Sequence, residues 1–133
     1  SAGGLGDQYA SFVNTTVRGL IGSHYGEPAR VGTMGSSLGG LISLHIADRF
    51  PGEYDFAASL SGTLGWGSIG GQGTDTMIAR YMAAGHRSTA LYIDSGGNDS
   101  CVDNYCETRQ MESVLVDLGY GVLNPRVRAG YGS

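Results

Sequence analysis

Lysine is absent from this chain of 133 residues, and all eight of its strongly basic side chains are arginine. Without lysine, no glycine-rich stretch can complete the Gly-Lys-Ser/Thr loop that holds terminal phosphates, which excludes nucleotide hydrolysis of that kind. Charge is scarce too. Only 15% of residues are charged and the net charge is −4. No basic cluster is present to release counterions from a phosphate backbone, so nucleic acid is not an expected partner. No apolar run approaches the ~18 residues of a membrane span, and the first residues lack a basic stretch followed by an apolar one. The stretch therefore reads as soluble and mature, with no membrane partner. Low charge does not mean disorder here, because 41% of the residues are hydrophobic, enough apolar surface to offset chain entropy. What is plentiful is glycine, at 24 residues, which calls for many tight turns.

The apolar residues set the order of elements. Asp7 to Ser23 spaces Tyr9, Phe12, Val13, Val17, Leu20 and Ile21 as one helical stripe, with Asp7 as the cap. Arg30 to Met34 reads as a strand, and Leu38 to Phe50 as a helix with Leu38, Leu41, Ile42, His45 and Ile46 inward, stopped by Pro51-Gly52. Phe56 to Leu60 has no alternation, as in a strand covered on both faces. Ser61 to Gly73 is loop, and Thr74 caps a helix through Ala84 with Met77, Ile78, Tyr81 and Met82 inward. Thr89 to Asp94 is a strand with Ala90 to Ile93 buried. Asn104 to Leu118 is a helix through Met111, Val114, Leu115 and Leu118, ended by Gly119, and Val122 to Arg128 is the last strand. Strand and helix alternating in this way call for an α/β fold, a mostly parallel sheet with flanking helices in a single domain.

Between the first strand and its helix stands Gly35-Ser36-Ser37-Leu38-Gly39, a Gly-x-Ser-x-Gly pattern in the strand–turn–helix context that a nucleophile elbow requires. Such a serine sits on strained backbone, and side chains at Gly35 and Gly39 would hold strand and helix apart. The turn aims the helix N-terminus at the site, so the Leu38 N–H is the candidate oxyanion donor. The competing reading is a glycine-rich turn that binds nothing or a small anion. A serine nucleophile needs a base oriented by a carboxylate. The loop Ile93-Asp94-Ser95-Gly96-Gly97-Asn98-Asp99 supplies the acid: Asp99 is the choice, with Asp94 read as hydrogen-bonding loop amides and Asp103 as capping the next helix. None of His24, His45 and His86 falls where a base must stand; His45 reads as packing and His86 as a turn residue.

Four stretches together, Gly35-Ser36-Ser37-Leu38-Gly39-Gly40-Leu41, Arg49-Phe50-Pro51, Ala57-Ala58-Ser59-Leu60-Ser61-Gly62 and Tyr92-Ile93-Asp94-Ser95-Gly96-Gly97-Asn98-Asp99, resemble the esterase family of the α/β-hydrolase superfamily. That family includes esterase D, feruloyl and acetyl-xylan esterases, enterochelin esterases and mycolyltransferases. The resemblance implies Ser37 as nucleophile, Asp99 as triad acid and Leu38 as one oxyanion donor. It also places the catalytic histidine after the last strand, hence just beyond Ser133, and the second oxyanion donor and first strands before Ser1. The chain is thus expected to be incomplete at both ends and inactive by itself.

Cys101 and Cys106 flank four residues beside the acid loop; they form either a local disulfide, suiting an extracellular or periplasmic setting, or two reduced thiols, suiting the cytoplasm. Asp94, Asn98, Asp99, Asp103 and Glu107 make a structural calcium conceivable, without the oxygen spacing of a calcium loop; no other metal and no organic cofactor is implied. Ser36 and Trp66 are placed at the substrate pocket, Trp66 either as a wall or as packing for its own loop. The expected activity is hydrolysis of a small-molecule or carbohydrate carboxylic ester through an acyl-enzyme. The alternatives are acyl transfer on the same fold, a non-catalytic scaffold and, less favoured, a flavodoxin-like mononucleotide binder. Oligomeric state is open.

Overall fold

The computed structural model describes residues 5–65, 76–97 and 101–120, and the backbone of 127–131. Trp66, Thr74, Asn98 and Asp99, and the start of the last expected strand at Val122, lie outside the described residues. The elements run α1 (Gly6–Ser11), a π-helical segment (Phe12–Val17), α2 (Arg18–Tyr25), β1 (Gly32–Ser36), α3 (Leu38–Arg49), β2 (Phe56–Leu60), α4 (Met77–Ala84), β3 (Ala90–Ser95), a 3-10 turn (Val102–Asn104), α5 (Tyr105–Asp117) and β4 (Val127–Tyr131). The strands form one sheet in the order β1-β2-β3-β4, every neighbouring pair parallel. This is the α/β architecture expected from the alternation. Among the described residues no helix is long and apolar enough to cross a membrane.

Because consecutive strands are neighbours throughout, right-handed crossovers place α3, α4 and α5 on the same face of the sheet. Burial agrees. Ala57, Ser59, Leu91, Ile93 and Ser95 are buried on the helix side, whereas Met34, Phe56 and Tyr92 are exposed on the other. The expectation that the second strand is covered on both faces holds at its centre, where Ala57, Ala58 and Ser59 are all buried, and fails at its start, where Phe56, on the face of Ala58, stays 45% exposed. Likewise Tyr92 turns outward from the strand whose residues 90–93 read as buried. The core gathers Leu41, Leu44, Ala57, Leu64, Met77, Ile78, Tyr81, Ile93, Met111, Leu115 and Tyr120.

The first helix departs from its expected stripe. Tyr9, Phe12, Leu20 and Ile21 are exposed, and Ala10 is the residue buried against the core. Of the expected stripe, Val13 packs part-buried against the core, and a π segment of i→i+5 bonding interrupts the regular period between α1 and α2. Asp7 is not the cap; it lies in the first turn of α1 behind Leu5 and pairs instead with His45 and Arg49. For α4 the cap is Thr76, whose hydroxyl accepts the Ala79 N–H at 3.1 Å. Met82 of that helix is exposed. Gly119, at φ +93°, follows α5 as expected, a left-handed conformation that costs glycine little.

Helix α3 is enclosed nearly all round, with Leu41, Leu44, His45, Ile46, Ala47 and Asp48 buried, while its first residue, Leu38, is exposed. A buried carboxylate needs compensation. Asp48 receives it from the Arg80 Nε at 3.0 Å and the Arg87 Nη1 at 2.6 Å, which ties the end of α3 to α4 and to the segment before β3. At the opposite end of α3 the approach to the sheet is set by glycine. A methyl group on Gly35 would collide with the Gly39 backbone, and one on Gly40 would meet Ser59 Oγ, Gly35 O and Gly62 Cα. At Gly39 it would meet open space, so on the helix side the glycine that allows the approach is Gly40, opposite Gly35 of the strand. Gly40→Ala in the full-length protein is accordingly expected to cost about 1–3 kcal/mol, as overpacking does. Gly39→Ala is expected to change stability by less than about 1 kcal/mol, toward stabilisation. Thermal melts of the two variants check the pair.

Candidate active site

Ser37 sits between the end of β1 and the start of α3 with φ 56° and ψ −120°. A non-glycine residue at positive φ costs of order 1–3 kcal/mol and persists only where its surroundings enforce it. They do so here through hydrogen bonds. The Ser37 N–H donates to Leu60 O at 2.9 Å, and Ser37 O accepts the N–H groups of Gly40 at 3.1 Å, Leu41 at 3.2 Å and Thr63 at 3.4 Å. The residue is thus held by the end of β2 on one side and the first turn of α3 on the other, and its side chain is exposed. Ser36 and Leu38, its chain neighbours, are exposed beside it. Leu38 begins α3, so its backbone N–H has no carbonyl within the helix to bond. The turn thereby joins an accessible hydroxyl to the positive end of a twelve-residue helix.

The carboxylates near the strand ends converge on the residue after β2. Asp94 Oδ1 accepts the Ser61 N–H at 3.0 Å, as expected of a strand-end carboxylate that binds loop amides. Its Oδ2 accepts the Tyr92 hydroxyl at 3.0 Å, a bond that keeps the phenol protonated and raises its pKa. Asp103 does not cap α5. The cap position is Asn104, without a side-chain capping bond, and Asp103 Oδ2 accepts the Ser61 hydroxyl at 3.1 Å. Asp99, the preferred acid, lies outside the described residues, as does Trp66. Cys101 and Cys106 are joined by a disulfide, with Cα atoms 4.8 Å apart. Among the described residues there is no group of three or more His, Cys, Asp or Glu side chains able to hold a metal ion.

The histidines stand apart from Ser37. His45 is buried and its Nε2 lies 2.8 Å from Asp7 Oδ1, an acid–imidazole pair that superficially resembles part of a catalytic relay. Eight residues along α3 separate His45 from Ser37, about 12 Å of helix rise, too far for proton transfer. His86 stacks on Tyr120 with ring centroids 4.4 Å apart, and His24 lies exposed in the last turn of α2. The Asp7–His45 pair escaped sequence reasoning because 38 residues separate its members; so did Asp48, whose only local signal was a carboxylate next to a buried apolar run.

A model of the family described as Putative esterase matches residues 1–116. The chain belongs to this esterase family. Among curated proteins a search finds no match. Solved structures share the fold at low identity. MPT51 (FbpC1) of Mycobacterium tuberculosis aligns with a TM-score of 0.73 and 13% identity over 93% of this chain and 59% of its own. The enterobactin esterase FES of Shigella flexneri, solved with 2,3-di-hydroxy-N-benzoyl-serine, aligns at 0.65 and 18% over 94% and 33%. The siderophore hydrolase EstB of Aspergillus nidulans aligns at 0.56 and 20% over 96% and 50%. The chain therefore spans between a third and three-fifths of the length of these esterase-fold relatives. In non-reducing peptide mapping, the peptides carrying Cys101 and Cys106 are expected to appear as a bridged species, lighter by two hydrogens than after reduction; unlinked thiols there would contradict the bond.

Proposed function

We propose that the full-length protein is a serine esterase that cleaves a carboxylic ester through an acyl-enzyme, with Ser37 as nucleophile. The supporting observation is the turn itself: an exposed serine at positive φ between a parallel strand and the start of a long buried helix, in a chain of an esterase family. In this reading Ser37 Oγ attacks the ester carbonyl and gives its proton to a histidine. The carbonyl oxygen takes the negative charge, facing the Leu38 N–H, and a second donor comes from elsewhere in the protein. The histidine then passes the proton to the departing alcohol. Water, activated by the same base, attacks the acyl-enzyme, releases the acid and restores the serine. In this reading Asp99 orients the base, which the family resemblance puts in the segment following β4; His45, eight residues along α3 from Ser37, is too distant to serve.

Ser36 and Trp66 line the substrate pocket, and the substrate is a small-molecule or carbohydrate ester. That FES is named an enterobactin esterase and EstB a siderophore hydrolase supports the small-molecule class. The reaction draws on no cofactor, and the chemistry works with any structural calcium or without it. The disulfide supports an extracellular or periplasmic site of action.

The test is labelling of the full-length protein with a fluorophosphonate, followed by mapping of the modified residue. Covalent modification of Ser37 is expected, with Ser37→Ala abolishing both the label and turnover of p-nitrophenyl acetate by several orders of magnitude. A folded protein that takes no label at Ser37 overturns the reading in favour of a non-catalytic scaffold. Release of a transacylated product in the presence of a competing alcohol, with little free acid, replaces hydrolysis by acyl transfer.

A further inference from the structure

Ser61 is the point at which three strand ends are tied together. It follows β2 directly, and it too has a positive φ, 47°. All of its polar groups are engaged. Its N–H faces both Asp94 O and Asp94 Oδ1 at 3.0 Å, and its carbonyl accepts the Asn104 Nδ2 at 2.7 Å. Its hydroxyl donates to Asp103 Oδ2 at 3.1 Å and accepts the Gly96 N–H at 3.3 Å. Leu60, just before it, and Thr63, two residues after it, are those that hold the Ser37 peptide from the sheet side. On the far side, Asp103 and Asn104 lie inside the ring closed by Cys101 and Cys106, and both are left-handed, at φ 52° and 61°. The disulfide closes this segment into a ring, and the segment presents one acceptor and one donor to Ser61.

We infer that Ser61 and Asp103 are positioning residues for Ser37: the disulfide-closed turn holds Ser61, and Ser61 holds the Leu60–Thr63 segment that sets the Ser37 backbone. The inference rests on the reading of Ser37 as nucleophile. A purely structural clamp would show its loss in stability alone. A positioning role shows in the reactivity of Ser37 at unchanged fold, because a small displacement of a nucleophile costs rate steeply.

The experiment measures the rate of fluorophosphonate labelling at Ser37 in the full-length protein, with the melting temperature of each variant alongside. Ser61→Gly removes the hydroxyl while suiting the positive φ, so the variant is expected to fold. It should label at least tenfold more slowly with a melting temperature close to that of the wild type. Asp103→Ala should slow labelling severalfold, and Asp103→Asn, which keeps an acceptor and tolerates the left-handed backbone, should restore it. Wild-type labelling rates in Ser61→Gly and Asp103→Ala overturn the inference while leaving the nucleophile intact. So does equal slowing in Asp103→Ala and Asp103→Asn. A wild-type protein unlabelled at Ser37 overturns the nucleophile itself, and the positioning role with it.

Discussion

The close approach of β1 to α3 is the constraint from which the rest of this structure follows. Gly35 and Gly40 leave no room for a Cβ between strand and helix, and Ser59 of β2 and Gly62 just beyond it close the same contact. A strand that must turn into a helix within one residue under that restriction has few backbone solutions, and Ser37 takes one with positive φ. The hydrogen bonds to Leu60 and Thr63 then make the turn part of the sheet's end rather than an independent loop. The same contact seats α3, around which α1 and α4 are arranged.

The two ends of α3 are secured by different forces. Near Ser37 the fit is steric, governed by the absence of side chains. At the far end it is electrostatic, with Asp48 between two arginines and Asp7 reaching His45 and Arg49 from the first helix. Truncating either arginine leaves the buried Asp48 carboxylate with less compensation, a greater loss than that of an exposed ion pair. Such a division lets the Ser37 end carry strain while the opposite end supplies stability.

The sequence announced the turn at Ser37 and the parallel sheet because both rest on local signals: a glycine-flanked serine, and strands alternating with helical stripes. It misled where the deciding partner lay far along the chain. Asp7 looks like a helix cap until His45 is brought beside it, and Asp103 looks like a cap until Ser61 takes its carboxylate. Gly39 fits the motif, but a three-dimensional test transfers its packing role to Gly40. The apolar stripe of Tyr9, Phe12, Leu20 and Ile21 followed the ordinary helical period, yet all four are exposed, because a periodic pattern does not name the surface it packs on. The lack of alternation in Phe56 to Leu60 could not reveal which face of the sheet carries helices; the order of the strands does.

The backbone at position 37 favours a residue without a side chain, since glycine adopts positive φ at little cost and serine does not. Thermodynamic drift at this one site runs toward losing the hydroxyl. A glycine at position 37 would relieve the backbone cost that the serine carries, so this one site sets a hydroxyl against the durability of the fold.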